Sequence, residues 1–515
     1  MSNILKFCIE KGILLDKETH DFFSQFDDTT AKNIIDKFAL LKERVINKSS
    51  LSKNLGKIQN LIEDKKIVEK IKINFGVSLE ITRERFVEEK KEEKKVENDI
   101  GNVKVLMSAP NISKKIEPMD FVYYFRTRYN EIKNIIKERK DLNNLTNIDK
   151  LSDKRQSASV VGIVFNKMIS KNKNIMLDLE DLTGKIRVLI NKEKKDLYEK
   201  AKNVLPDDII CVRGFGDREI IFVNDLIYPD SHLAEKVRLD RDESVVFISD
   251  IHVGSNNFLE ENFLKFIKWL NGETGDKIQK EEALKVKYLL ITGDSVDGVG
   301  IFPGQENLLT IKDMYKQYEK LAEFLKMIRK DIKIVICPGQ HDSVRVAEPQ
   351  PPIGSDYAPA LHELDNIIFV SNPAMIEIKN DNGKRGFKIF MYHGASMTPF
   401  SSEMESLRLA NPHHHPTKVV KELLKRRHIN SIHSGGIYIP NPKKDYLVIP
   451  EVPDVMNTGD FHRTDVDTYN GTMIVCSSCW QSITPFEEKV GNIPDPCKVP
   501  VLNLKSGSMK ILDFS

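Results

Sequence analysis

The stretch Val245-Val246-Phe247-Ile248-Ser249-Asp250-Ile251-His252 decides how this chain reads. Its β-branched and aromatic run is too short for a helix and predicts a buried strand. The run stops abruptly at Ser, Asp and His. On an extended chain alternate residues face the same way, so Asp250 and His252 point together. The same form recurs downstream. Tyr288–Thr292 leads into Gly293-Asp294-Ser295-Val296-Asp297-Gly298, and Ile334–Cys337 leads into Pro338-Gly339-Gln340-His341-Asp342. Helical patterns at Phe258–Leu270 and Met314–Ile328 separate the strands. This β-α-β-α rhythm predicts a layered α/β domain over residues 236–515, with its chemistry on loops at the carboxyl ends of strands.

Two further segments carry the same residue types, Tyr392-His393-Gly394 and Gly459-Asp460-Phe461-His462. Glycines beside carboxylates and imidazoles let the backbone turn sharply and approach an ion closely. A phosphodiester needs hydroxide at neutral pH and positive charge on its oxygens, and two divalent ions about 3.5–4 Å apart supply both. Mixed nitrogen and oxygen donors suit Mn²⁺, Fe²⁺ or Zn²⁺ better than an all-oxygen Mg²⁺ cage. A lone DxH or GD is more often a turn or a cap. Four such pieces in this order at strand ends point to a metal centre.

Upstream the texture changes. Residues 151–235 hold short β-rich segments at Ala158–Phe165, Ile175–Leu179 and Ile186–Ile190, a helical stretch near Asp196–Lys202, then Ile209–Gly214 and Ile220–Val223. Three strands, a helix and two strands is the order of an OB-fold, used on single-stranded nucleic acid or as a docking platform. Few aromatics (Phe165, Phe215, Phe222) advertise base stacking. Residues 1–75 read as a small helical domain, with Ile4, Leu5, Phe7 and Cys8, then Ile34, Ile35, Phe38 and Leu41, at helical spacing. Residues 76–150 read as a charged linker because of the run Glu88-Glu89-Lys90-Lys91-Glu92-Glu93-Lys94-Lys95. The fold class expected is thus multidomain α+β.

The 78 basic and 76 acidic residues leave a net charge of +2, so any basic groove is local. Six scattered cysteines exclude a disulfide framework and suit a reducing, cytoplasmic setting. Cys476 and Cys479 form a CxxC with no second pair at zinc-ribbon spacing, and read as ordinary thiols. Neither a secretory leader nor a membrane-spanning helix is expected. No GxxxxGK[ST] loop occurs, so an NTPase is not indicated. His413-His414-His415, bounded by prolines, reads as an exposed loop. Lys418–Arg427 reads as a basic amphipathic helix, lining a DNA path or simply solvated.

The series DxH, GDxxD, GQHD, a solitary His and GDxH, over residues 245–470, resembles the calcineurin-like metallophosphoesterases, whose domain has four α/β layers. An OB barrel directly before it narrows the likeness. So do Val346-Ala347-Glu348-Pro349-Gln350-Pro351-Pro352, Leu423–His428, Val452-Pro453-Asp454 and Ser478-Cys479-Trp480-Gln481. Together they resemble the small subunit of the archaeal family D DNA polymerase. The resemblance implies a 3′→5′ proofreading exonuclease that pairs with a large polymerising subunit, acts on DNA 3′ ends and meets a sliding clamp through the holoenzyme. It implies two divalent ions, with Mn²⁺ favoured and Mg²⁺ or Fe²⁺ as alternatives. It puts Asp250, His252, Asp294 and His462 on one ion, and Asp294, Gln340, His393 and Asp460 on the other. His341 becomes the acid that protonates the leaving oxygen. The rival readings are an inactive assembly subunit, as in the related eukaryotic B subunits, and a phosphatase.

This chain departs from the motif at two positions: Gln340 replaces asparagine, and Asp460 replaces the first histidine of GHxH. Both fall on the second ion. They leave His393 its only nitrogen donor and make that site harder and more negative. A tight first ion and an exchangeable second one are expected.

Overall fold

The computed structural model describes residues 101–515 except 112–114, 141, 143 and 232–234, and before them 3–24, 28, 31–32, 35–36 and 45–46. The chain divides into two compact units, Met1–Lys95 and Val96–Ser515.

In the first unit, helices Asn3–Glu10 and Lys17–Phe23 bury Ile4, Cys8 and Phe23. Strands β1 (Leu14–Leu15) and β2 (Val45–Ile46) pair in parallel. Ile35 is buried, as its spacing suggests. Ile34, Phe38, Leu41 and the charged run 88–95 lie outside the described residues.

The second unit opens with β3 (Val103–Ser108) and the helix Pro118–Lys137. The strands β4 (Gln156–Ile169), β5 (Ile175–Glu180), β6 (Lys185–Ile190), β7 (Ile209–Gly216) and β8 (Ile220–Ile227) follow. They close into a barrel in the order β4-β5-β6-β8-β7, with helix Lys195–Lys202 between β6 and β7. Val160, Leu177, Val188, Val212 and Val223 fill it. The OB-fold expected from the sequence is present.

The rest is a sandwich. Its strands are β9 (Ser244–Ile248), β10 (Val286–Thr292), β11 (Lys333–Cys337), β12 (Ile367–Phe369), β13 (Ala374–Ile378), β14 (Phe387–Tyr392), β15 (Val455–Thr458), β16 (Asp465–Tyr469), β17 (Thr472–Cys476), β18 (Lys498–Asn503) and β19 (Met509–Asp513). One sheet runs β12-β11-β10-β9-β18-β19 and the other β16-β17-β15-β14-β13-β3. Alternation decides the layers. Val245, Phe247, Leu290 and Val335 of the first sheet meet Ile376, Ile389, Met391 and Val455 of the second between the sheets. Val246, Ile248, Leu289 and Ile291 turn outward onto Phe263, Phe266, Leu321 and Leu325 of helices Glu260–Leu270 and Met314–Lys326. Phe390, Met456 and Ile474 turn out onto Val419, Val420 and Leu423 of helix Pro416–Arg426. Four layers result, as expected.

Three readings need correction. Within residues 76–150, the part the structure describes is not linker. β3 pairs antiparallel with β13 as a sheet edge, and helix Pro118–Lys137 packs Tyr129, Ile132 and Ile136 against Val161, Ile209 and Cys211 of the barrel. Its apolar pattern is obscured because Asp120 and Arg128 occupy buried positions. Arg128 is buried because its Nε donates to Asp445 at 2.8 Å and its Nη2 to the Tyr124 hydroxyl at 2.7 Å. Second, helix Pro416–Arg426 is amphipathic as read, with Lys418 exposed and Lys421 and Lys425 half-buried, but the arginines do not belong to its basic face. Arg426 and the following Arg427 are buried, Arg426 on Asp208 at 2.9 Å and Arg427 on the Ile449 carbonyl at 2.8 Å. Third, His413 is half-buried rather than exposed, its ring 4.9 Å from that of Phe461.

Candidate metal centre

Strands β9, β10 and β11 run parallel, as do β14 and β15. Every residue read as a ligand follows the carboxyl end of one of these five strands. Asp250 and His252 follow β9, Asp294 follows β10, Gln340 and His341 follow β11, His393 follows β14, and Asp460 and His462 follow β15. The loops hold unusual backbone: Asp250 (φ 49°), His252 (54°), Asp294 (47°), Asp460 (70°) and His462 (53°) are all left-handed. Such residues cost of order 1–3 kcal/mol each and persist where surrounding structure imposes them, which is typical of functional sites. Gly339 is required here, since a Cβ on it would stand 2.6 Å from the Asp294 backbone nitrogen and 2.7 Å from His393 Nε2.

Each of the four histidines has its Nδ1 on an oxygen that can only accept. His252 Nδ1 donates to Asp297 Oδ1 (3.0 Å), His341 Nδ1 to the Asp297 carbonyl (2.7 Å), His393 Nδ1 to the Thr292 carbonyl (2.9 Å) and His462 Nδ1 to Glu487 Oε1 (2.9 Å). The proton is therefore held on Nδ1, and Nε2 is the free end. Those free ends converge. His252 Nε2 and His462 Nε2 are 3.3 Å apart, with Asp250 Oδ1 at 4.0 and 3.4 Å from them. His393 Nε2 is 3.2 Å from Asp294 Oδ2, 3.8 Å from Asp460 Oδ1 and 4.0 Å from Asp250 Oδ1.

Asp250 Oδ1, His393 Nε2 and Gln340 Oε1 are buried without a hydrogen-bond partner. Buried polar atoms left so are costly, and a cation between Asp250 Oδ1 and His393 Nε2, 4.0 Å apart, satisfies both. Two imidazole lone pairs facing one another at 3.3 Å likewise call for a cation or proton between them. The donor set therefore fits divalent ions. Asp250, His252 and His462 form one group that could hold an ion, and Asp250, Asp294 and His393 form another. Asp250 is the residue common to these two groups, whereas the family resemblance gives the shared role to Asp294. A third group, His252, Asp297 and His341, lies alongside.

Electrostatics agree. Burial by itself raises the Asp294 pKa, but His393 and His341 outweigh it and hold the carboxyl well below the usual range. Burial by itself lowers the His393 pKa, but Asp294 and Asp250 drive it well above its ordinary value. A pocket with this effect on imidazoles attracts cations.

Sequence reading missed two supports. Asp297 holds His252 through its side chain and His341 through its carbonyl, while Gln305 and Gln481 donate to its carboxylate at 3.0 and 3.1 Å. Its place in GDxxD was the available signal. Glu487 caps the short helix Pro485–Val490, accepting from Thr484 N at 2.9 Å, and turns its other oxygen to His462. The Thr-x-x-Glu spacing signals the cap but not the histidine. Cys476 and Cys479 are buried free thiols.

Residues 245–466 match the family of the DNA polymerase alpha/epsilon B subunits, and residues 158–218 match the OB-fold nucleic acid binding domain. The DNA polymerase II small subunit of Methanothermobacter thermautotrophicus is 38% identical over 397 residues, 77% of this chain and 79% of that protein. The one from Archaeoglobus fulgidus is 34% identical over 478 residues, 92% of each. The chain belongs to the archaeal DNA polymerase II small-subunit family. The Pyrococcus furiosus small subunit is 38% identical over 76% of this chain, and the match spans 63% of its own length. In this member of the small-subunit family, the two departures from the phosphoesterase motif touch each other. Gln340 Nε2 donates to Asp460 Oδ1 at 2.5 Å.

Proposed function

We propose that this small subunit is a metal-dependent 3′→5′ exonuclease that removes mismatched 3′-terminal nucleotides from DNA for an archaeal family D polymerase. Its partner is then the large polymerising subunit, and DNA 3′ ends and the sliding clamp are met through that assembly. The observation that carries the reading is the convergence of four imidazoles, each held through Nδ1, on a cluster of buried carboxylates. A general phosphatase site has no need of the polymerase family to which the chain belongs.

Asp250, His252, Asp294 and His462 would hold one ion, and Asp294, Gln340, His393 and Asp460 the other. When bound, divalent ions supply positive charge for the phosphate oxygens and make hydroxide available at neutral pH. The chain does the rest. Asp297 and Glu487 lock His252 and His462 in the tautomer that leaves Nε2 free. His341 is the most exposed of the four histidine side chains, at 20%. Its Nδ1–H is fixed on the Asp297 carbonyl, so a second proton carried on Nε2, as imidazolium, is the one it would pass to the departing 3′ oxygen, returning the ring to its neutral Nδ1–H form.

The test uses the purified chain with Mn²⁺ on a 3′-mismatched primer, beside a chromogenic phosphate monoester. Release of the mismatched nucleotide is expected. Cleavage of the monoester alone would make it a phosphatase, and no hydrolysis would make it an assembly subunit. Asp294→Ala should abolish nuclease activity with the fold intact. His341→Ala should lower the rate roughly 10²–10⁴-fold, the scale of a lost general acid, with metal content unchanged by elemental analysis.

A further inference from the structure

The loop that follows the metal-bearing GDxxD turn has no role in the chemistry above, yet its sequence is unusual. Residues 298–304 read Gly-Val-Gly-Ile-Phe-Pro-Gly. Val299, Ile301 and Phe302 are 42%, 37% and 41% exposed, three neighbouring apolar side chains facing solvent. A loop selected only for solubility would be polar at these positions. Gly298, Gly300 and Gly304 have φ of 76°, 78° and 85°, so the backbone follows a path that side chains resist. It is not loose. Gln305 is fully buried beneath the loop, accepting from Ile301 N at 2.9 Å and donating to the Asp297 carbonyl at 2.8 Å. That carbonyl also holds His341. The Ile301 side chain lies over Gly298, where an added Cβ would stand 2.5 Å from the His341 carbonyl and 2.9 Å from Ile301 Cδ1. The exposed apolar group is thus anchored to His341 by backbone and buried amide.

We infer that Val299, Ile301 and Phe302 form a stacking wedge for a nucleobase at the DNA 3′ end. This rests on the exonuclease reading. In that reaction His341 serves the departing 3′ oxygen, which belongs to the penultimate nucleoside. A surface tied to His341 therefore lies on that nucleoside's side, and a planar apolar base is the part of DNA that gains from an exposed phenyl ring and an aliphatic neighbour. With Phe302 against the penultimate base, the last nucleotide is unstacked from it. A mismatched end, already unpaired, reaches this arrangement at less cost than a matched one. The wedge thus supplies the preference for mispaired ends without reading sequence.

The probe is an oligonucleotide carrying 2-aminopurine at the penultimate 3′ position, whose fluorescence falls on stacking. Binding to the full chain in EDTA, with no hydrolysis, should quench it. Phe302→Ala should lose that quenching and bind roughly 5–150-fold more weakly, the range of one lost base stack. Phe302→Trp should keep the quenching, which separates stacking from misfolding. With Mn²⁺, the ratio of mismatched to matched cleavage should fall in Phe302→Ala. Equal quenching in wild type and Phe302→Ala, or an unchanged ratio, overturns the wedge. Hydrolysis of neither DNA nor bis(p-nitrophenyl) phosphate by wild type with Mn²⁺ overturns the exonuclease reading instead, while the EDTA quenching still decides for or against stacking.

Discussion

Gln340 and Asp460 are 120 positions apart in sequence and in contact in space. Glutamine is one methylene longer than the asparagine of the phosphoesterase motif, and aspartate is shorter than the histidine. The extra reach of one side chain meets the shortfall of the other, so the pair reads as a compensated exchange. Their hydrogen bond also engages the Asp460 oxygen that faces His393, 3.8 Å from its Nε2, and an ion at the proposed second site would have to draw on that oxygen. A more exchangeable second ion follows. Gln340→Asn alone and Asp460→His alone should each weaken binding of the second Mn²⁺, and the double variant should recover it. A coupling of about 0.5–3 kcal/mol is the usual range for residues in contact. Calorimetric Mn²⁺ titration of the four proteins measures it, and additive losses would mean the positions act separately. If the natural protein is inactive at millimolar Mn²⁺ and the double variant is active, the second site has decayed.

At the scale of elements, helix Pro118–Lys137 is tied to the sandwich by a buried polar knot. Arg128 and Tyr124 bond Asp445, and His428 Nε2 donates to the same carboxylate at 3.0 Å. His428 Nδ1 meanwhile accepts from Asn430 N at 2.9 Å, so a second ring proton would meet an N–H head on. Burial, with Arg128 nearby, pushes the His428 pKa from 6.5 down to about 4, and Asp445 only partly offsets this. Between these two values the unfolded chain holds more protons than the folded one, so stability rises with pH. This contribution is complete above pH 6.5 and is lost as pH falls towards 4. It amounts to about 3 kcal/mol, since each pKa unit corresponds to about 1.4 kcal/mol. Urea unfolding between pH 7.5 and 4.5 should show the loss, and His428→Asn should flatten it. An equal slope in the variant would place the titration elsewhere.

For the second unit as a whole, the OB barrel and the sandwich are locked by charge as well as by apolar contact. Arg426 of the sandwich bonds Asp208 of the barrel at 2.9 Å and the Asn203 carbonyl at 2.7 Å, with both charged residues buried. Removing one member of such a pair strands the other in a dry interior and costs about 3–5 kcal/mol. Arg426→Ala should therefore unfold at lower temperature, with the barrel transition separating from that of the sandwich in calorimetry. A single transition at the wild-type temperature would show that apolar packing alone joins them.

What the sequence determined by itself is the local part. Short β-branched runs ending in Asp, His and Gly are complete signals within eight residues. They located β9, β10 and β11, the barrel strands and the residues at the strand ends, and helical spacing located the helices between β9, β10 and β11. The four layers came from the family resemblance, because β9 and β10 are apolar runs buried on both faces and do not say by themselves which residue meets which layer. Tertiary structure decided what depends on distant partners. Glu487 is 25 residues from His462, Arg128 is 317 from Asp445, and Gln340 is 120 from Asp460, and no local pattern joins them. Residues 101–137 escape sequence reading for the same reason. A helix that buries Arg128 and Asp120 looks solvated in sequence, because charge predicts exposure until a partner is known. The exposed Phe302 shows the converse, an apolar residue whose position at the site became visible only when the loop was seen anchored to His341 through Asp297.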